Sequence, residues 1–218
     1  MMRFHLVTIF PTMVDSYLGE SLFLRAQRKK ILAIRRYDVR DFTKDRHRKV
    51  DGRPFGGGPG MVLQVQPMYD AVRSIRRKIA QRKSRSRVRT ILFSTRGKKF
   101  NAKEAKRLSR YDDLILLCGR YEGVDERVAH YVADEELSLG DYVLSGGELP
   151  AMVLMEAVSR FLPGFLGKEE SLEEVNGSFP TYSRPEVFIP KKGERWIVPP
   201  VLLSGDHKKI AAWRKKQG

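Results

Sequence analysis

Three glycine-bearing turns hold the residues of this 218-residue chain that are best suited to bind a ligand. They are Ser94-Thr95-Arg96-Gly97, Gly119-Arg120-Tyr121-Glu122-Gly123 and residues 139–147, and each follows a predicted strand or a short extended piece. Glycine lets backbone N–H and C=O groups approach a ligand closely. In parallel sheets such turns converge beyond the carboxyl ends of the strands. We predict a crevice that binds an adenosine-type ligand through main-chain atoms, with ordinary tight turns as the competing interpretation.

A second glycine cluster, Pro54-Phe55-Gly56-Gly57-Gly58-Pro59-Gly60-Met61, resembles a phosphate-binding loop. The chain contains no G-x-x-x-x-G-K-[ST] motif, and this cluster lacks the spacing of a dinucleotide fingerprint. Nucleotide hydrolysis is therefore excluded as an interpretation. Four glycines are costly to order, which favours a flexible loop that closes over a flat ligand; a plain disordered loop is the alternative.

The positive charge of the chain is concentrated in one region. The 42 Lys and Arg against 26 Asp and Glu give a formal net charge of +16. Twelve basic and no acidic residues lie between Arg73 and Lys99, which leaves +4 for the rest of the chain. Nine of these charges fall between Arg73 and Arg89 without a carboxylate in the same stretch, so they would repel one another unless phosphates neutralise them. We predict contacts to a nucleic-acid backbone there; a solvated helix face is the alternative.

Metal and thiol chemistry find no support in the residue spacing. The four histidines, His5, His47, His130 and His207, lie far apart, and Cys118 ends a buried apolar run. We predict no metal centre, no thiol mechanism and, with one cysteine, no disulfide partner. The N-terminus has no signal-peptide layout and no apolar run approaches a membrane-spanning length, so we expect a cytoplasmic protein with no membrane partner.

Short apolar runs alternate with helical patterns, which predicts an α/β fold with a parallel sheet. The predicted strands are 4–10, 31–37, 90–93 and 114–118, and the predicted helices are 20–29, 67–81, 103–110, 125–132 and 149–162. The last helix has almost no polar face, so we expect it to be covered on every side.

The composition changes after residue 166. We predict a catalytic domain at 1–166, a linker at 167–190 rich in Glu, Ser, Asn, Gly and Pro, and a short C-terminal segment at 191–218. In that segment Asp206 is suited to cap a basic helix over 207–216.

Four blocks of sequence carry a resemblance to a known family. They are residues 40–61, 116–128 and 137–167, together with TYSRPEVF and VPPVLLSGDHKKIAAWR near the C-terminus. In this order they resemble the bacterial tRNA (guanine-37-N1)-methyltransferases, the TrmD-type members of the SPOUT superfamily. The resemblance implies a parallel-sheet fold with a deep trefoil knot, an exception to the rule that chains do not knot. It also implies a homodimer whose active sites use both subunits, which would cover the apolar helix.

The implied activity is methyl transfer from S-adenosyl-L-methionine to N1 of guanine 37 in tRNA, next to the anticodon. The implied S-adenosylmethionine contacts are made mainly by backbone, at Phe93, Ser94, Thr95, Gly119, Tyr121, Glu122, Gly123, Leu139, Gly140, Asp141, Tyr142, Val143, Leu144, Gly146, Gly147 and Pro150. Thr95-Arg96 stands where the family commonly has Pro-Gln.

Guanine N1 carries a weakly acidic proton, so methylation there needs a base at N1 and a cation near O6. The resemblance assigns the cation to Arg160. The family's linker Asp, the base, is absent, because alignment puts Val175 or Gly177 at its position. Of the nearby carboxylates Glu173 and Glu174, we expect Glu174 to act as the base.

From the resemblance we expect a helical RNA-binding domain after the WR of the last block, most of which would lie beyond Gly218. The basic stretch, with Arg82, Lys83, Arg85 and Arg87, is predicted to replace part of that surface. Asp51 and Gly60 beside the glycine cluster are further predicted RNA contacts, and the family also suggests a magnesium requirement. Two functions stay open: an active tRNA methyltransferase, or an impaired homologue that binds S-adenosylmethionine or tRNA without efficient methylation.

Overall fold

The computed structural model describes residues 1–82, 85–166 and 178–217. It contains two compact units, residues 1–168 and 169–218. In the described part of the first unit the strands are β1 Met2–Thr8, β2 Leu32–Asp38, β3 Asp51–Gly52, β4 Val62–Leu63, β5 Val88–Lys99, β6 Asp113–Leu117 and β7 Glu135–Ser138. The helices are α1 Asp15–Leu18, α2 Ser21–Arg28, α3 Val65–Ala80, α4 Ala102–Leu108, α5 Glu126–Tyr131 and α6 Glu148–Ser159.

A parallel sheet with the order β2-β1-β6-β5-β7 forms the centre of this unit. All five residues of β6 are buried, as are six of the seven residues of β1, because helices cover both faces of the sheet. Residues of α2, α4 and α6 pack on one face, and residues of α3 and α5 pack on the other. The predicted α/β class and parallel sheet are confirmed.

The four predicted strands are confirmed within a few residues, but β5 is longer than expected. It continues through the predicted turn 94–97, and its pairing with β7 shifts register between Phe93 and Lys98. The prediction of a separate turn was therefore wrong: these residues form an irregularity inside a strand. Strand β7 was not predicted, because Glu135-Glu136 hides the apolar pattern of so short a strand.

Helix α6 keeps one face open in this chain. Leu149 is 51% exposed and Val153 is 43% exposed, whereas Leu154, Met155 and Val158 are fully buried. The prediction that this helix is covered on every side is thus not met by the described residues of one chain. In those same residues, no helix is long and apolar enough to cross a membrane.

The second unit, as far as it is described, pairs β8 Val187–Phe188 antiparallel with β9 Trp196–Ile197. Helices α7 Pro200–Leu203 and α8 His207–Gln217 follow. The Asp206 carboxylate accepts the backbone N–H groups of Lys208 and Lys209 at 3.1 Å each, so the predicted cap is confirmed. The predicted linker lies partly outside the described residues, and its last residues include β8.

Candidate functional site

A cavity of about 450 Å³ lies at the carboxyl ends of β6 and β7, beside residues 92–96 in the middle of β5. Its lining includes fourteen of the predicted S-adenosylmethionine contacts: Phe93, Ser94, Thr95, Gly119, Tyr121, Glu122, Gly123, Leu139, Tyr142, Val143, Leu144, Gly146, Gly147 and Pro150. Gly140 and Asp141 do not line it. The Asp141 carboxylate instead binds Lys99 Nζ at 2.5 Å, which ties the 139–147 turn to the end of β5. The structure thus brings the three glycine-bearing segments together around one crevice.

A backbone hydrogen bond between two glycines joins the 139–147 turn to the 119–123 turn. The Gly147 N–H donates to the Gly119 carbonyl at 2.9 Å. A Cβ atom on Gly147 would lie 2.5 Å from Cys118 Cα, closer than real Cβ atoms approach. Only glycine therefore permits this crossing, and the 139–147 turn is held directly against the end of β6.

A buried ion pair, not anticipated from the sequence, supports the same crossing. Arg120 Nε donates to Glu148 Oε2 at 2.9 Å, and Thr8 Oγ1 donates to Glu148 Oε1 at 2.5 Å. Arg120 Nη1 also donates to the Ser145 carbonyl at 3.2 Å. Glu148 is 1% exposed, so the loss of one partner would leave a buried charge and cost about 3–5 kcal/mol. This network links β1, the 119–123 turn, the 139–147 turn and α6.

Glu136 of β7 is a further lining residue that sequence reasoning missed. Its Oε2 atom is buried and, in the described part of the chain, has no hydrogen-bond partner. The adjacent Glu135 is different, because it binds Arg89 at 2.8 Å and Arg107 at 2.7 Å. Adjacent strand residues point to opposite faces of a sheet, which explains why one carboxylate is paired and the other meets the cavity.

Arg96 and Glu126, also in the cavity lining, form an ion pair of 2.5 Å. Hydrogen bonding to Glu126 raises the pKa of the Arg96 guanidinium. The pair joins the middle of β5 to the first turn of α5.

Of the predicted catalytic residues, the structure describes Arg160, which does not line the cavity of its own chain. Arg160 caps the C-terminal end of α6, whereas Pro150 in the first turn of that helix lines the cavity. Ten residues of helix separate the two by about 15 Å along the axis. Glu174, Glu173, Val175 and Gly177 lie outside the described residues.

The basic stretch has carboxylate partners from outside its own sequence, so the prediction that its charges repel one another unless phosphates neutralise them was wrong. Arg82 Nη1 binds both oxygens of buried Asp113 at 2.8 Å. Arg76 binds Asp134 at 2.9 Å, Arg87 lies 3.7 Å from Asp112, and Arg89 binds Glu135. These acids follow the stretch in sequence but reach it through the sheet. Arg85 and Arg87 are exposed, while Lys83 lies outside the described residues.

The glycine cluster forms the loop of a small hairpin, in which β3 pairs antiparallel with β4. Its stem is bonded to the cavity wall: the Glu122 N–H donates to the Met61 carbonyl, and the Leu63 N–H donates to the Gly123 carbonyl, both at 3.0 Å. Asp51 lies in β3, and Gly60 lies against the side chain of Glu122. The hairpin is thereby attached to the same turn that lines the cavity.

Cys118 is buried beneath this site as a free thiol, as predicted for a core residue. Burial raises the pKa of the Cys118 thiol well above its ordinary value, so it stays protonated. No group of three or more His, Cys, Asp or Glu that could hold a metal ion occurs among the residues described.

Comparison with known proteins agrees with the fold. A family described as tRNA (Guanine-1)-methyltransferase TrmD matches residues 2–218. The tRNA (guanine-N(1)-)-methyltransferase of Clostridioides difficile strain 630 is 44% identical over 99% of this chain and 92% of its own length. The protein of the same name from Carboxydothermus hydrogenoformans is 46% identical over 99% of this chain and 82% of its own length.

A solved structure also matches. The crystal structure of the tRNA (m1G37) methyltransferase from Aquifex aeolicus has a TM-score of 0.79 and 36% identity, over 97% of this chain and 87% of that chain. Fold and cavity define an α/β protein with a ligand site at the carboxyl edge of a parallel sheet. The chain belongs to the TrmD family of tRNA (guanine-1)-methyltransferases.

Proposed function

We propose that this protein transfers a methyl group from S-adenosyl-L-methionine to N1 of guanine 37 in tRNA. Membership of the family over residues 2–218 supports the reaction class, which is methyl transfer. The names of the relatives support guanine as the methylated base and tRNA as the substrate. The structural observation that supports it is the cavity formed by three segments at the carboxyl edge of the sheet. The tRNA substrate also gives the expectation of a cytoplasmic location.

The cavity fits S-adenosylmethionine in size and chemistry. Its volume of about 450 Å³ lies within the range of small-ligand sites. Main-chain groups of the glycine turns can hold the adenosine, and the Glu136 carboxylate offers an acceptor for a hydroxyl or ammonium group. When bound, the sulfonium of the ligand supplies the methyl group. Asp141 positions the 139–147 turn through its ion pair with Lys99. Gly140 does so through backbone hydrogen bonds with the Ser138 hydroxyl.

Methylation at N1 of guanine requires two things of the protein: a group that accepts the N1 proton and a cation that stabilises the negative charge that develops at O6. Glu174 accepts the N1 proton of guanine, and the Arg160 guanidinium stabilises negative charge at O6. Because Arg160 lies about 15 Å along α6 from the cavity-lining Pro150, the Arg160 that serves a given cavity comes from a second copy of the chain.

A homodimer formed through α6 is therefore part of the proposal. Leu149 and Val153 expose apolar surface on this helix, and Met13 and Tyr17 expose 48% and 50% of their surface. The Tyr17 hydroxyl donates to Glu156 of α6 at 3.1 Å, so these residues extend the same patch. A contiguous apolar face of this kind is typical of a subunit interface.

A threaded chain is the second structural part of the proposal. Strand β7 lies at the sheet edge, yet the 139–147 turn that follows crosses back to the end of central β6, where Gly147 bonds Gly119. A trefoil knot would hold the turn in that crossing. A crystal structure tests this, since a path from residue 113 to residue 166 that could be pulled straight would contradict it.

For RNA binding we retain Asp51 and Gly60 of the hairpin and Arg85, Arg87 and Lys83 of the basic stretch as proposed contacts. Arg82 has a different primary role, because its guanidinium neutralises buried Asp113. Magnesium receives no support from the comparisons and is not part of the proposal. The relatives carry the name of an active methyltransferase, so the impaired homologue has no support either.

Methyl transfer from labelled S-adenosylmethionine tests the proposed function, with tRNA transcripts that carry guanine or adenine at position 37. We expect transfer to the guanine transcript only. Arg160→Ala should lower the rate about 10²- to 10³-fold, because a preorganised charge is lost, and Glu174→Gln about 10²- to 10⁴-fold, because the base is lost. Calorimetric affinity for S-adenosylmethionine should stay unchanged in both.

Glu173→Gln is the matched control, since it removes a neighbouring carboxylate of the same segment and should retain activity. Wild-type protein that binds S-adenosylmethionine but methylates no tRNA would support the impaired homologue instead. Wild-type activity in Glu174→Gln would reject the base assignment and leave the function intact.

A further inference from the structure

Phe55, at the start of the hairpin loop, is fully exposed, at 102% of its reference surface. A single exposed apolar side chain is ordinary on a protein surface. The surroundings of Phe55 are unusual. The loop has a hydrogen-bonded stem, Phe55 is followed by three glycines with positive φ angles, and several basic side chains precede it. Together these features point to a ligand for the ring.

The three glycines after Phe55 are required by the backbone path and not by crowding. Gly56, Gly57 and Gly58 have φ angles of +85°, +80° and +112°, and a Cβ atom on any of them would meet nothing within 4 Å. Other residues rarely adopt this conformation. The chain thus turns sharply after Phe55 through three residues without side chains. The aromatic ring of Phe55 is left exposed to solvent.

The stem of this loop is fixed to the wall of the cavity. Strands β3 and β4 pair antiparallel, and the Gln64 N–H donates to the Val50 carbonyl at 2.8 Å. The Asp125 N–H donates to the Leu63 carbonyl at 2.9 Å, in addition to the bonds from Glu122 and to Gly123. The loop that carries Phe55 is therefore mounted on the turn that borders the proposed methylation site.

The segment that leads into the loop is positively charged. Five exposed basic side chains precede Phe55, against the carboxylates of Asp41, Asp45 and Asp51: Lys44, Arg46, Arg48, Lys49 and Arg53. Of these five, Arg48 is bound by Asp41. Asp45 accepts the backbone N–H groups of His47 and Lys49, so its charge is used locally, and those bonds lower the pKa of its carboxyl. A cationic surface beside an exposed aromatic ring is the usual combination for single-stranded nucleic acid.

We propose that the Phe55 ring is a stacking platform for an unpaired anticodon-loop base next to guanine 37. This inference rests on the proposed function and adds a residue that holds the RNA. The cations attract the phosphates, and the ring supplies a π-face that accepts any base. Because the hairpin is bonded to the cavity wall, a base stacked there lies beside the one that enters the cavity.

The test measures tRNA affinity by filter binding for wild type, Phe55→Ala and Phe55→Trp. Phe55→Ala should weaken tRNA binding about 5- to 150-fold, the range expected for the loss of one base–aromatic stack. Phe55→Trp should bind tRNA as tightly as wild type, because tryptophan also stacks on a base. Tyr131→Ala is the matched control: Tyr131 is 83% exposed on α5, outside the hairpin, and its removal should change nothing. Calorimetric affinity for S-adenosylmethionine should be the same in all variants.

Two further readouts separate stacking from a general surface effect. The ratio of wild-type to Phe55→Ala affinity should stay constant between about 50 and 200 mM salt, whereas the deficit of Arg53→Gln should shrink as salt rises. In tRNA with 2-aminopurine beside guanine 37, fluorescence should be quenched by wild type and retained with Phe55→Ala.

Equal tRNA affinity of Phe55→Ala and wild type, with wild type active, would overturn this inference alone. A change in sedimentation behaviour of Phe55→Ala would also overturn it, since the ring would then pack against a second copy of the chain. Failure of wild type to bind tRNA at all would overturn the proposed function, and this inference with it.

Discussion

At the scale of single residues, Glu136 places an acceptor, unpaired among the described residues, in the lining of the cavity. A buried carboxylate oxygen without a hydrogen-bond partner costs about 1–3 kcal/mol. In the described part of the chain Oε2 of Glu136 is such an atom, and it belongs to a residue of the cavity lining. S-adenosylmethionine carries hydroxyl and ammonium donors. A bound ligand can therefore satisfy an acceptor that the protein alone leaves unpaired.

Replacement of Glu136 tests this. Glu136→Ala should weaken S-adenosylmethionine binding about 5- to 150-fold in calorimetry, because one charged hydrogen bond is lost. Glu136→Gln, which keeps one acceptor oxygen, should lose less. Glu20→Ala is the control, since this glutamate is exposed and does not line the cavity. Affinity of Glu136→Ala equal to wild type would show that the carboxylate faces no ligand donor.

At the scale of elements, the amino ends of β1 and β6 hold a buried polar cluster away from the cavity. His5 Nε2 lies 2.7 Å from Asp113 Oδ1, and the Tyr37 hydroxyl lies 3.2 Å from His5 Nδ1. Burial lowers the pKa of His5, against the opposing effect of the Asp113 hydrogen bond. A neutral His5 then donates from Nε2 to Asp113 and accepts from Tyr37 at Nδ1. Burial raises the pKa of Asp113, but hydrogen bonds from His5 and Arg82 outweigh it and lower the pKa overall.

This cluster makes stability depend on pH. In the unfolded chain His5 has its ordinary pKa of 6.5 and takes up a proton below that pH, whereas the folded protein keeps His5 neutral down to its lowered pKa. The free energy of unfolding therefore falls as pH drops from 6.5 towards the lowered pKa. The paired Asp113 carboxylate stabilises the fold above 3.8, and this contribution is lost as pH falls through its lowered pKa.

We expect His5→Gln to flatten the decline in unfolding free energy between about pH 7.5 and pH 5, as measured by urea denaturation. The control, His130→Gln, changes a histidine whose side chain is 65% exposed, and it should keep the wild-type slope. An unchanged slope in His5→Gln would show that other groups control the acid sensitivity.

At the scale of the whole molecule, the proposed dimer completes each active site. Leu149→Asp combined with Val153→Asp places two charges on the open face of α6 and should give a monomer in sedimentation equilibrium, because burial of unpaired charge in an interface is costly. The monomer should keep its affinity for S-adenosylmethionine but lose methyl transfer, since Arg160 would no longer reach a neighbouring cavity.

Tyr131→Asp is the control for added surface charge, because Tyr131 is exposed on α5, and it should leave the dimer intact. A double variant of α6 that remains dimeric would place the interface elsewhere on the molecule. A monomer with full methyl transfer would show that each active site is built from one chain.

The apolar runs and glycine positions determined much of this protein by themselves. Strands such as 114–118 are buried on both faces of a parallel sheet, so their continuous apolar sequence already predicts them. The glycine turns indicated the cavity for a similar reason, because a close main-chain approach excludes most side chains locally.

Only the tertiary structure decided the charged pairings. Arg120 and Glu148 are 28 residues apart, Arg82 and Asp113 are 31 apart, and the acids that bind the basic stretch lie in or directly before β6 and β7. The buried Arg120–Glu148 pair was missed for the same reason, whereas β7 was missed because Glu135-Glu136 hides its apolar pattern. Residue spacing along the sequence shows which side chains are neighbours within one helix or strand. It does not show which side chains meet when two elements pack together, so the partner of a charged residue is known only from the folded structure.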